Sequence, residues 1–149
     1  MNSEYTIEIA AAPETIWFLI TDREKTMQWN PDILSIEPRT PGPPVVGLVS
    51  DTKIKEGSRV VDYEGEITAF QPPAYLELRL TGGSLGASPM VVGYRLTPTT
   101  DGTSVCFTGA WQARGIVLRL LAPLLAILGR RNATVAMGRL KAMAESPAE

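Results

Sequence analysis

The sequence predicts an α+β domain in which a long C-terminal helix lies across a seven-stranded antiparallel sheet. Three observations carry this. Between residues 33 and 113 six segments alternate apolar and polar side chains, and turn material separates them: "RTPGPP", "KEGS", "QPPA", "TGGSLGAS" and "PTTDGT". Separators that short suit hairpins. A seventh alternating segment stands at the N-terminus, and everything after about residue 114 changes to helical periodicity. The 149 residues, 44% hydrophobic and 20% charged, suit a single domain over 1–149.

Taken in order, residues 5–9, "YTIEI", alternate as a half-buried strand does. Pro13 follows at a position that suits the first turn of a helix, ahead of Ile16, Trp17, Leu19 and Ile20. Asp22 can cap a second short helix carrying Met27 and Trp29, and "NPD" at 30–32 ends it, because a residue before proline disfavours the helical region. Strands are then expected at 33–38, 47–55, 59–70, 75–81, 90–97 and 103–113. The final helix is expected over 114–144, with Pro123 kinking it or starting its main segment.

Alternation also selects the face of each strand that turns inward. It picks Leu48, Ser50, Thr52 and Ile54; Val61, Tyr63, Gly65 and Ile67; Leu76, Leu78 and Leu80; Met90, Val92, Tyr94 and Leu96; and Val105, Phe107, Gly109 and Trp111. Asp62, Glu64 and Glu66 alternate the other way and are expected on a solvated face rather than as a paired-carboxylate site. On the last helix Leu121, Leu125, Leu128, Asn132, Ala136, Leu140 and Met143 fall near one stripe, flanked by Gly129 and Ala133. That stripe has a dent where its side chains turn small. Bulky sheet residues could fill the dent, or the helix could stand back and leave a pocket.

Composition excludes several kinds of chemistry. The chain has no histidine, which removes imidazole bases, Ser-His-Asp and Cys-His nucleophiles and histidine metal ligands. Its one cysteine, Cys106, allows no internal disulfide and fits a reducing compartment, so the cytoplasm is the expected location. No nucleotide-binding glycine motif occurs, and "GGSLG" at 82–86 precedes no helix pattern. A net charge of −2 and a pI near 5.3 argue against nucleic acid as partner. The N-terminus lacks the basic and apolar regions of a signal peptide, and the apolar run at 115–129 contains Arg119 and Pro123 and falls short of the roughly 20 residues a bilayer span requires. No stable membrane insertion is expected. Arg114 and Arg119 beside that run could meet anionic headgroups, but they are fewer than the four or more clustered basic residues that usually signal such binding.

The order of elements, with "IEIAAAPETIWFLITDREKTMQWNPDI", "YEGEITAFQPPAYLELRL", "YRLTPTTDGTSVCFTGAW" and "LLAPLLAILGRRNATVAMGRLKAM", resembles the START and pollen-allergen-like superfamily, in its bacterial polyketide cyclase/dehydrase and lipid transport branch. The resemblance spans nearly the whole chain. It implies a helix-grip fold, a curved seven-stranded antiparallel sheet wrapped around the C-terminal helix, with two short helices after the first strand. It also implies a cavity for a small hydrophobic molecule, lipid-, sterol- or polyketide-like, held by a carrier or sensor. Strand phase and helical spacing then nominate Trp29, Tyr63, Leu78, Met90, Tyr94, Phe107, Trp111, Leu125, Gly129, Asn132, Ala133 and Ala136 as its lining. No cofactor, metal or catalytic residue is expected. Two alternatives stand beside this reading. One is a cyclase or dehydratase acting on a polyketide-like substrate through inward tyrosines. The other is an interaction module or homodimer using the apolar segment 115–128.

Overall fold

The computed structural model describes residues 2–82, 89–111 and 116–146, with 117, 118, 122, 125, 126 and 128–130 described by backbone alone. Strand β1 (Asn2–Ile9) leads through Pro13, at the first helical position, into α1 (Pro13–Thr21). Asp22 separates α1 from α2 (Arg23–Trp29) and caps it, its carboxylate accepting the Lys25 backbone N–H at 3.1 Å. Six strands follow: β2 (Ile33–Pro38), β3 (Val49–Glu56), β4 (Arg59–Gln71), β5 (Tyr75–Gly82), β6 (Met90–Thr99) and β7 (Gly102–Ala110). Helix α3 (Ile116–Glu145) completes the chain.

The strands form one antiparallel sheet in the order β1-β7-β6-β5-β4-β3-β2. Every neighbouring pair is a sequential hairpin except β1 with β7. The chain crosses from one edge of the sheet to the other through α1 and α2, which cover part of the inner face. A bulge between Ile67 and Ala69 resets the phase of β4, so both Ile67 and Phe70 face inward although three residues separate them. A glycine is required at 102, where a Cβ would overlap the Ile9 carbonyl oxygen on the adjoining strand.

The core is built from Ile9, Ile16, Leu19, Ile20, Trp29, Leu76, Val92, Tyr94, Leu96 and Val105, closed by Met137, Leu140 and Ala144 of α3. The inward strand residues match the alternation, and Asp62, Glu64 and Glu66 are exposed on the outer face. There Arg39 pairs with Asp51 at 2.8 Å and also with Glu64.

The helix departs from its expected phase. Leu140 of the expected stripe is buried and its Ala136 and Met143 pack against the core, but Leu121 and Asn132 are exposed, and Met137 and Ala144, which lie outside the stripe, are buried. The buried face is rotated by roughly one residue, about 100° of helix, because the C-terminal half of α3 packs on β1, α1 and α2 as well as on the sheet. A polar clasp fixes that seat. Lys141 Nζ donates to the Glu8 carbonyl at 2.8 Å and to Glu145 Oε2 at 2.6 Å, and Ala10 N–H donates to the same Glu145 oxygen at 2.7 Å. The clasp joins the last turn of the helix to the end of β1.

Candidate functional site

With α3 seated by its C-terminal half, the sheet's concave face is left partly unfilled, and the space forms two lobes. The first, about 420 Å³, lies between the sheet and the α1–α2 side of the molecule. Its walls are mostly apolar: Ile20, Ile33, Ile36, Leu48, Ile54, Ile67, Phe70, Leu76, Leu78 and Leu80. The second, about 860 Å³, lies between α3 and the sheet, with Trp29, Trp111, Ala133, Ala136 and Met137 in its walls. Its rim carries Asp32, Lys55, Glu56, Arg59 and Arg139, all exposed. Asn30, Ile54, Met90, Val92, Tyr94 and Phe107 line both lobes, so the two meet on one wall.

Aromatic contacts shape that wall. Tyr94 stacks obliquely on Phe107 with ring centres 5.1 Å apart, and its ring stands edge-on to Trp29 at 6.4 Å. Trp29 is held in turn by its indole N–H, which donates to the Leu19 carbonyl at 2.8 Å. Because that carbonyl lies near the C-terminal end of α1, the two short helices and the interior strand β6 are fixed to one another through this ring.

The polar groups of the first lobe fall into two sets. Thr21 and Thr26 donate to the carbonyls of Trp17 and Leu19, Asp22 caps α2, and Arg23 donates to the Ile36 carbonyl at 3.3 Å. These are occupied by the backbone. The side chains of Asn30, Ser50, Thr52 and Tyr94 line the same lobe and make no hydrogen bond among the described residues. Burial raises the Tyr94 phenol above its ordinary value, so it remains a protonated donor at neutral pH. None of these atoms is sealed in packed protein without a partner, so each opens onto the hollow, where water or a ligand can satisfy it.

Nine of the twelve nominated residues line this cavity. Leu78 faces the first lobe; Met90, Tyr94 and Phe107 face both; Trp29, Trp111, Asn132, Ala133 and Ala136 face the second. Asn132 is exposed at the edge of its lobe. The side chains at Leu125 and Gly129 lie outside the described residues. Tyr63 is corrected: it lines neither lobe, because its hydroxyl reaches along the β3–β4 hairpin to donate to Glu56 at 2.6 Å. Burial and that bond raise the Tyr63 phenol as well.

The sequence reading missed the first lobe's far wall. Ser50 and Thr52 belong to the inward set that alternation selects, whereas "NPD" marks Asn30 only as the end of a helix. Its place directly after the buried Trp29 was the available signal. No α3 residue lines this lobe among the described residues, so a cavity placed only between helix and sheet was too narrow a description.

A long helix gripped by a curved antiparallel sheet, with a two-lobed and mostly apolar hollow over the sheet's concave face, is a helix-grip fold built around a cavity. The chain belongs to the polyketide cyclase / dehydrase and lipid transport family, which its sequence matches over residues 2–145. Its structure is similar to the Zhui aromatase/cyclase from Streptomyces sp. R1128, with TM-score 0.79 and 16% identity over 97% of this chain and 93% of that one. It is likewise similar to Ara h 8.0201, with TM-score 0.72 and 13% identity over 99% of each chain. A third similar structure is the Aha1 dimer from Colwellia psychrerythraea, with TM-score 0.66 and 21% identity over 97% of this chain and 96% of that one. At these identities the likeness is one of fold. A search of curated proteins finds no match to the chain.

Proposed function

We propose that the protein binds a small, largely apolar molecule, lipid-, sterol- or polyketide-like, as a carrier or sensor. The observation that carries this is the lining of the hollow: aliphatic and aromatic side chains interrupted in the first lobe by Asn30, Ser50, Thr52 and Tyr94, whose side chains make no hydrogen bond among the described residues. Ligand sites generally combine an apolar lining with a few such groups, in volumes of roughly 300–1,000 Å³. Burying about 300 Å² of apolar ligand surface returns about 7.5 kcal/mol before the cost of association. The unpartnered polar groups then orient the ligand rather than supply most of its affinity.

Titration with N-phenyl-1-naphthylamine, an uncharged apolar fluorophore, tests the reading. Saturable enhancement of its fluorescence is expected, weakened several-fold by Ala133→Leu, which pushes three further carbons and their hydrogens into the second lobe. An unsaturable response, or one indifferent to that substitution, counts against a cavity that binds.

A second reading rests on Tyr94. A buried hydroxyl facing an apolar hollow is placed to hydrogen-bond or protonate a substrate, as a cyclase or dehydratase requires, but burial, by raising its pKa, weakens it as an acid. The matching base is harder to find. Asp22, the sole carboxylate lining the first lobe among the described residues, already accepts the Lys25 N–H, and those of the second lobe, Asp32 and Glu56, sit exposed on its rim, with Glu56 bonded to Tyr63. The binding reading is therefore favoured.

A further inference from the structure

The N-terminal half of α3 turns its apolar side away from the core. Ile116, Leu120, Leu124 and Ile127 are 77%, 76%, 54% and 64% exposed. Their spacing of four, four and three residues puts them on one face of the helix, and Arg131, also exposed, continues that line. Met137, Leu140 and Ala144, which seat the helix, project from the opposite side. An apolar face of this size left outward needs something to cover it.

Charge says what that is. Residues 102–144 carry six basic side chains, Arg114, Arg119, Arg130, Arg131, Arg139 and Lys141, and no acidic one. The rest of the chain holds eight basic against sixteen acidic residues, so an acidic chain carries six of its fourteen basic residues in this stretch, of which Lys141 is paired with Glu145 just beyond it. Arg119 and Arg131 are exposed and form no ion pair among the described residues. A second copy laid face to face would bring two basic helices together, which like-charge repulsion opposes. A surface that is negative at its boundary and apolar just below it complements both features.

We propose that the outer face of α3, centred on Leu120, Leu124 and Ile127 and flanked by Arg119 and Arg131, docks the protein on the surface of an anionic lipid bilayer. The helix lies in the interface and does not cross it; no helix of the described structure is long and apolar enough to span a membrane. Docking is independent of what the cavity holds. The second lobe nevertheless lines the same helix further along, at Asn132, Ala133 and Ala136.

The test is flotation of the full chain with vesicles of mixed phosphatidylglycerol and phosphatidylcholine, against vesicles of phosphatidylcholine alone, with light scattering of the free protein in parallel. The wild type is expected to float with the anionic vesicles, to stay behind with the neutral ones, and to release as salt rises. Leu124→Glu and Arg131→Glu are each expected to weaken binding on the order of tenfold or more. Both positions are exposed, and an unchanged melting temperature will show that the variants fold. The proposal is overturned if the wild type ignores anionic vesicles, or if both variants bind as well as it does. It is equally overturned if the free protein is a dimer that Leu124→Glu dissociates, which would assign this face to a second copy.

Discussion

Tyr94 carries two kinds of work that a substitution can separate. Its ring is core, wedged between Phe107 and the edge of Trp29, while its hydroxyl faces the cavity and has no hydrogen-bond partner among the described residues. Tyr94→Phe should therefore leave thermal stability nearly unchanged. Affinity for a ligand with a hydrogen-bonding group should fall roughly two- to twelve-fold, the worth of about 0.5–1.5 kcal/mol for one neutral hydrogen bond. Parallel melting curves and ligand titrations check this. A loss of several degrees without loss of affinity would place the hydroxyl in the fold instead. If the protein is an enzyme, the same substitution should abolish turnover while binding survives. The inward face of Tyr94 was readable from "MVVGYRL" because alternation needs only the strand's own sequence. Tyr63 satisfied the same pattern and still left the cavity, since its reach to Glu56 depends on the geometry of a hairpin end.

At the scale of elements, α3 is held by its last turns. Glu145 is the centre of the clasp, and its carboxyl lies below its ordinary value, first because it accepts the Ala10 N–H and then because Lys141 bonds to it. A carboxyl whose folded pKa is depressed stabilises the fold above its unfolded pKa and loses that contribution as pH falls through the folded value. Glu145→Gln should therefore lower the melting temperature at neutral pH, and the gap to the wild type should close below the usual carboxylate range. A constant gap at all pH values would mean that the charge has no part in the clasp. The strands, the two short helices and the final helix were legible because Pro13, Asp22, the "NPD" stop and the period-two runs act locally. The phase of α3 was not. Leucine content pointed to the face bearing Leu121, but burial follows where β1, α1 and α2 stand, which chose Met137, Leu140 and Ala144. Ile116, Leu120, Leu121, Leu124 and Ile127 near its start are left outside.

For the whole molecule, the sheet's curvature and the seat of α3 together decide that a hollow remains. Ala133 and Ala136 of the expected dent line one lobe. The other depends on how α2, β2 and β3 fold over the sheet, a long-range arrangement with no short motif, which is why Asn30 was passed over. The central claim is that this hollow holds an apolar molecule in the working protein, and native mass spectrometry of freshly purified protein, followed by organic extraction, tests it most directly. A stoichiometric small molecule is expected, released on denaturation, with occupancy reduced in Ala133→Leu. Protein that carries nothing, and gains no mass when offered sterol, fatty acid or aromatic polyketide in turn, would contradict it.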